Sequence, residues 1–189
     1  MANRAYNRAG CQKLRAGLEK SEFIRCELTT STVLGNGDLV ALSGATGSDA
    51  RYPVVSRHSA GGAIFGIFRG LVNPTHADVA GYYDGVAADY GLIEPIVPDD
   101  IYVMQEDGVG GYLGAADVGK VADIVVSSAS STTGKSNMMI DSSTAATGGS
   151  ASVVLLGISE EYDMVTGDVY TAWKIRFNEL QAHDSFAGI

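Results

Sequence analysis

The stretch T-A-W-K-I-R-F-N-E-L, Thr171–Leu180, decides the fold class. Apolar and polar side chains alternate through it: Trp173, Ile175 and Phe177 are separated by Lys174, Arg176 and Asn178. Successive side chains of a strand point to opposite faces, so this period of two predicts a strand with one buried and one solvated face. An aromatic stripe of this kind is typical of a core.

Short segments of similar character recur along the chain, separated by turn residues. The further predicted strands are Phe23–Thr29, Asp38–Leu42, Pro53–Arg57, Ile64–Val72, Ile101–Glu106, Ala122–Val126, Met138–Ile140 and Ser152–Ser159. Glycine, asparagine and aspartate stand between them, for example at Gly35–Gly37 and Gly148–Gly149, and these residues favour turns. The pattern predicts an all-β fold, a β-barrel or β-sandwich of short antiparallel strands.

The first 25 residues differ in charge from the rest. They carry six basic and two acidic groups, a net charge of +4, whereas residues 26–189 carry a net charge of −13. Residues 4–20 place Cys11, Leu14 and Leu18 on one helical face, but Gly10 and Gly17 weaken a helix. We therefore divide the chain into a basic N-terminal arm or short helix, 1–25, here called the leader, and a single β-rich domain, 26–189.

Residues 127–152 are rich in serine, threonine, alanine and glycine, and they include A-S-S-T-T-G-K-S, 129–136, which resembles a phosphate-binding loop. Such a loop needs a helix directly after it, because the helix N-terminus supplies the amides that hold phosphate. The residues that follow, N-M-M-I-D-S-S-T, disfavour a helix. We predict a long Ser/Thr-rich hairpin, or a surface loop, around a short strand Met138–Ile140, and no nucleotide site.

No catalytic constellation or cofactor site is evident. The histidines His58, His76 and His183 lack metal-binding spacing, and we expect them at the surface. The acid pairs Asp99-Asp100, Glu106-Asp107 and Glu160-Glu161 adjoin turn signals, so we expect solvated carboxylates. Cys11 and Cys26 are expected to be free thiols, because disulfides are rare in a reducing cytoplasm. The sequence predicts neither an enzyme nor a bound metal.

The composition also bears on partners. The net charge of −9 opposes nucleic-acid binding, and basic residues are sparse outside the leader. No apolar run approaches the ~20 residues of a membrane span, and the N-terminus has no apolar secretion signal. We expect synthesis in a cytoplasm and no membrane partner.

Seven segments, in order, resemble the capsid decoration (cement) proteins of tailed bacteriophages. They are G-D-L-V-A-L (37–42), P-V-V-S-R (53–57), A-I-F-G-I-F-R-G-L (63–71), Y-V-M-Q-E-D (102–107), V-G-K-V-A-D-I-V-V (118–126), M-I-D-S-S-T-A-A-T (139–147) and W-K-I-R-F-N-E-L-Q (173–181). No single segment is diagnostic; their order carries the resemblance, which covers roughly residues 33–183.

The resemblance implies a virion protein made in the bacterial host and placed on the outer surface of the head. It would bridge neighbouring major capsid subunits against the pressure of packaged DNA, need no cofactor and associate with itself, typically as a homotrimer. The leader lies outside the resemblance. For the leader we predict contact with the capsid through five side chains: Arg4, Tyr6, Arg8, Lys13 and Arg15.

Two other classes of function remain open. A virion-surface binding module could contact carbohydrate or host through Tyr82, Tyr83 and Tyr90, although these tyrosines are more typical of a loop or subunit contact. A trimeric β-barrel hydrolase with sites shared between subunits is the form an enzyme would take. Glycan binding and a hydrolysis screen separate these classes from a decoration protein.

Overall fold

The computed structural model of the protein describes residues 10–14, 22–45, 47–48, 51–72, 81–86, 89–160, 167 and 170–180. Among these residues the regular structure is strand, with two single-turn 3-10 helices, η1 (Ala115–Asp117) and η2 (Ser142–Thr144). The strands are β1 (Gln12–Lys13), β2 (Ile24–Leu28), β3 (Leu34–Gly35), β4 (Leu39–Leu42), β5 (Val54–Arg57), β6 (Gly66–Leu71), β7 (Tyr82–Tyr83), β8 (Tyr90–Pro95), β9 (Tyr102–Gln105), β10 (Val121–Ala122), β11 (Ile124–Val125), β12 (Met139–Ile140), β13 (Val153–Ile158) and β14 (Ala172–Phe177). The predicted all-β class is confirmed.

Five strands close a small barrel in the order β2-β5-β4-β6-β8, with β8 returning to β2. Four of the contacts between neighbouring strands are antiparallel, and the β2–β5 contact is parallel. A second, open sheet of five antiparallel strands has the order β1-β9-β14-β13-β10. The pairs β3–β7 and β11–β12 complete the structure.

The barrel and the open sheet share a core because the barrel strands are apolar on both faces. In β4, Val40 points into the barrel and Leu39 points out of it, and in β6 the same division holds for Phe68 and Ile67. The outward pair joins Trp173, Ile175 and other side chains of the open sheet in the larger core. This arrangement buries both faces of β4 and β6, which explains why the two sheets form one structure.

The burial of the segment Thr171–Leu180 follows the alternation of its apolar and polar residues. Trp173, Ile175 and Phe177 are buried in the larger core, whereas Lys174 is half-buried and Arg176 is exposed. The Phe177 ring meets the ring of Tyr102 edge to face, with 5.1 Å between their centroids. β14 therefore lies at the centre of the open sheet, between β9 and β13.

One part of the N-terminal arm lies among the described residues, and it is a strand. Gln12 and Lys13 pair with Val103 and Tyr102 at the edge of the open sheet, so the short helix, one of the two alternatives for residues 4–20, does not form at this point. Cys11 is fully buried in the larger core, and β2 begins at Ile24, before the proposed boundary at residue 25. Main-chain pairing with β9 and burial of the Cys11 side chain outweigh the weak helical periodicity.

Four strands were not predicted: β1, β3, β7 and β8. β8 has the sequence Y-G-L-I-E-P, in which Gly91, Glu94 and Pro95 read as breakers. Tertiary contacts explain why a strand forms in spite of two of these residues, Gly91 and Glu94. A Cβ on Gly91 would lie 2.9 Å from atoms of Leu28 and Phe68 inside the barrel, and the Glu94 carboxylate is paired with the Arg69 guanidinium.

Cys11 and Cys26 are free thiols, as predicted. Cys11 lies in the larger core and Cys26 in the barrel interior, so the barrel wall separates them. Burial raises the pKa of both thiols, that of Cys26 to about 12. Both cysteines therefore act as small apolar core side chains.

Gly10 provides a test of how tightly the leader is docked. Its φ is +59°, and an added Cβ would lie 2.4 Å from both the Gly37 carbonyl oxygen and the Ser136 Cβ. Gly44 also has a positive φ, +68°, but has nothing within 4 Å of the same position. We expect Gly44→Ala to cost about 1 kcal/mol of unfolding free energy from backbone strain alone. Gly10→Ala should cost about 2–4 kcal/mol, because steric overlap is added to the strain.

The measurement is urea unfolding followed by the fluorescence of Trp173. Equal losses in the two variants would contradict the docked position of residues 10–14.

Candidate functional site

Of the five predicted capsid-contact residues, the structure describes Lys13. Its ammonium group lies 2.5 Å from the Asp100 carboxylate, and β1 pairs with β9 on the edge of the open sheet. Lys13 thus fastens the leader to the protein's own surface. The remaining four, Arg4, Tyr6, Arg8 and Arg15, lie outside the described residues.

The segment that resembles a phosphate-binding loop, 129–136, uses its amides internally. Five backbone N–H groups donate to acceptors within the protein: those of Ser130, Thr133, Gly134, Lys135 and Ser136. The chain then continues through an extended region into β12, which pairs with β11. The predicted Ser/Thr-rich hairpin is confirmed, and no helix follows the loop to present free amides to a phosphate.

Ser136 belongs to a buried polar contact under this hairpin. Its hydroxyl accepts a hydrogen bond from the Met138 amide at 3.0 Å, and the Asp38 carboxylate accepts one from the Gly35 amide at 2.9 Å. Asp38 is fully buried, and burial raises its pKa to about 6, although the Ser136 hydroxyl and the Gly35 amide oppose this shift. These groups hold a turn in place, so Ser136 has a structural role here.

Two groups expected at the surface are buried instead. Glu106 is fully buried, and burial raises its pKa to about 7, while the hydrogen bond that its carboxylate accepts from the Leu113 amide opposes the shift. His58 is 1% exposed, and burial lowers its pKa. Glu106 directly follows β9, whose neighbours cover it, and this packing is invisible in the local sequence. The expectation of a solvated Glu106 and a surface His58 was therefore wrong.

The other acids of the three pairs are closer to the prediction. Asp99 and Glu160 are exposed, and Asp100 and Asp107 are half-buried. Glu160 forms an ion pair of 3.1 Å with Lys174. Glu161, together with His76 and His183, lies outside the described residues.

The three tyrosines do not form one exposed platform. Tyr83 lies in the barrel core, and its hydroxyl donates to the Thr29 carbonyl at 3.3 Å. Tyr90 is half-buried on the outside of the barrel, where its ring meets Tyr52 edge to face at 5.4 Å. The Arg25 guanidinium lies over both of these rings, 4.2 Å from Tyr90 and 4.7 Å from Tyr52. Tyr82 is half-buried in β7. Packing within the chain explains Tyr83 and Tyr90.

The most prominent unexplained surface is a loop that sequence reasoning missed. Residues 108–119, here called the apolar loop, connect the end of β9 with β10. The loop exposes Val109 (66%), Tyr112 (53%) and Val118 (51%), and its Ala115 and Ala116 are also exposed. Its first nine residues, G-V-G-G-Y-L-G-A-A, carry no charge. The absence of charge over these nine residues was the signal available in the sequence.

Internal hydrogen bonds hold the apolar loop in shape at its start and middle. The Asp107 carboxylate accepts bonds from the Val109 amide at 3.1 Å and from the Ser142 hydroxyl at 2.8 Å. The buried Glu106 carboxylate accepts one from the Leu113 amide at 2.7 Å, and the Leu113 side chain enters the larger core. The buried Glu106 carboxylate and the buried Leu113 side chain therefore attach the loop to the larger core.

The far end of the apolar loop is held in the same way. The Asp117 carboxylate accepts bonds from the Gly114 amide and the Lys120 ammonium, both at 2.7 Å, and these bonds lower its pKa. The Gly119 amide donates to the Leu155 carbonyl at 2.7 Å, joining the loop to β13. Because the one carboxylate of the loop, Asp117, is used in these contacts, the exposed side chains of the loop are largely apolar.

In the described part of the chain, no three or more His, Cys, Asp or Glu side chains converge to hold a metal ion. No helix among the described ranges has the length and hydropathy needed to cross a membrane. Comparison with protein-family models, with curated proteins and with solved structures found no match to the chain.

The position of Glu106 predicts a pH-dependent stability. Its ordinary pKa of 4.5 rises to about 7 in the folded state, so the folded protein binds a proton that the unfolded chain releases. The contribution of Glu106 to the free energy of unfolding is fully present below pH 4.5 and is lost as the pH rises through 7. Between these two pKa values the loss is about 1.4 kcal/mol per pH unit. Glu106→Gln should remove it.

The measurement is the unfolding free energy of wild type and Glu106→Gln at pH 5, 6, 7 and 8. Asp38 acts in the same direction and His58 in the opposite one, because burial lowers the pKa of His58. Both remain in the variant, so the difference between the two proteins isolates Glu106. The variant should gain stability relative to wild type as the pH rises; a difference independent of pH would contradict the buried, protonated acid.

Proposed function

We propose that the protein is a structural virion protein that binds the outside of a tailed-phage head and cements neighbouring major capsid subunits. In this role it performs no chemistry, needs no cofactor and works through contact surfaces alone. It associates with itself, typically as a homotrimer, so that several weak contacts act together on the shell. Its place is the outer surface of the capsid.

The observation that carries this proposal is the apolar loop. Several exposed apolar side chains in one short loop that is held by internal hydrogen bonds are typical of a surface that meets another protein. The groups that would be needed for nucleotide chemistry in the segment 129–136 are instead engaged within the fold. The proposal therefore rests on a rigid display of contact groups rather than on a cleft.

The resemblance to decoration proteins supports the same role. Each of its seven segments contains or overlaps a strand of the structure, from β4 in residues 37–42 to β14 in residues 173–181. The resemblance thus follows the framework of the barrel and the open sheet, rather than the loops between strands. The leader, which lies outside it, is a separate contact element in this proposal.

Deleting residues 1–9 tests the contribution of the leader to head binding. The cut removes Arg4, Tyr6 and Arg8 but keeps Gly10, Cys11 and Lys13, which are packed into the body. A longer deletion would remove β1 and destabilise the fold. We expect the shortened protein to melt like wild type and to lose binding to purified phage heads that lack the protein.

A matched variant, Arg4→Ala/Tyr6→Ala/Arg8→Ala in the full chain, should behave in the same way. Binding is measured by co-sedimentation with the heads and by imaging their surface. Failure of the wild-type protein to bind heads sinks the proposed function. Normal binding by both variants contradicts only the role given to the leader.

A further inference from the structure

We propose that the apolar loop is the surface through which copies of this chain contact one another. The inference deepens the proposed function, on which it rests for the expectation of an oligomer. It names the surface and its occupant, a second copy of the chain. Three features of the described residues support it: apolar exposure, rigidity and charge.

Exposure gives the loop its binding energy. Val109, Tyr112 and Val118 each expose about half or more of their surface. Leu156, which is 37% exposed, lies on β13, the strand to which the Gly119 amide is bonded through the Leu155 carbonyl. Aromatic side chains in such settings carry a large share of interface energy, and Tyr112 is the natural anchor.

Rigidity lowers the cost of using that energy. The loop is fixed by carboxylates at Glu106, Asp107 and Asp117, and by the buried side chain of Leu113. A loop already held in one shape loses little conformational freedom when it binds. An unanchored glycine-rich loop would have to be ordered at the moment of contact.

Charge decides between the possible occupants. Residues 26–189 carry a net charge of −13, so two copies repel one another wherever their acids meet. Contact between them requires a surface from which like charges are absent. Residues 108–116 carry no charge, and the one acid of the loop, Asp117, is neutralised by Lys120 at 2.7 Å. A second acidic copy can dock here without that penalty, whereas a basic partner would gain nothing from this surface.

The test compares single substitutions that add one negative charge to exposed apolar positions. Val109→Asp and Tyr112→Asp lie in the apolar loop. Val86→Asp is the matched control, because Val86 is 79% exposed and lies in the separate turn between β7 and β8. The mass of each full-length protein is measured by sedimentation equilibrium over a range of concentrations, and its fold is checked by thermal melting.

We expect wild type and Val86→Asp to form oligomers with masses that are multiples of 19.7 kDa. Val109→Asp and Tyr112→Asp should weaken self-association by about 100-fold or more, since a like charge is forced into each copy of the contact. All four proteins should show one cooperative melting transition, and the dissociated loop variants should melt at a lower temperature, because association of native chains stabilises the native state. A wild type that stays monomeric, or loop variants that associate as wild type does, would overturn the inference.

Head binding by the same proteins separates this inference from the proposed function. Loop variants that remain oligomeric but no longer bind purified heads would make the loop a capsid contact, which overturns the inference and leaves the function standing. Dissociation of the loop variants, together with no binding of wild type to heads, would support the self-contact and overturn the function.

Discussion

The fold depends on one turn, Gly35–Asp38, at which four separate parts of the chain meet. The Gly37 carbonyl accepts the amide of Cys11 in the leader, and the Gly37 amide donates to the Phe68 carbonyl in the barrel wall. The Asn36 carbonyl accepts the amide of Ser136, and the Asn36 amide faces the carbonyls of Gly81 and Gly134. These are main-chain bonds, several of them buried, so leaving any partner unpaired is costly. The turn therefore fixes the leader, the Ser/Thr-rich hairpin and the barrel relative to one another.

The same constraint connects the barrel with the surface loops. Because β4 follows this turn directly, its two faces enter the two cores, with Val40 in the barrel and Leu39 in the larger core. The larger core also holds Trp173 and Leu113, and Leu113 is the buried anchor of the apolar loop. A loop at the surface is thus joined to the central turn through a continuous set of packed side chains. Such continuity explains how a chain with little helix can hold a glycine-rich loop in a fixed shape.

Local sequence patterns were sufficient to predict the strands whose apolar and polar residues match their buried and exposed positions. β14 alternates strictly, and every predicted strand segment contains a strand of the structure. β8 was missed because Gly91 and Glu94 are accommodated in the strand by distant residues. Phe68 packs where a Cβ on Gly91 would lie, and Arg69 pairs with the Glu94 carboxylate. β1 was taken for part of a helix because the strand with which it pairs, β9, lies about 90 residues further along the chain. For the candidate site, the absence of charge in residues 108–116 was readable, but the buried acceptor Glu106 could not be distinguished from a turn acid without the fold.

The acidity of the chain has a second consequence beyond repulsion between copies. Asp38, Glu106, Asp107 and Asp117 each accept a backbone amide in a turn or loop, so these carboxylates shape the main chain where no helix or long strand does. Two of the four are fully buried, which makes them part of the interior framework. When acids are used as internal acceptors, the surface above them can be apolar and still rigid. A contact surface built this way has met its ordering cost during folding, so binding a partner there costs little further conformational entropy.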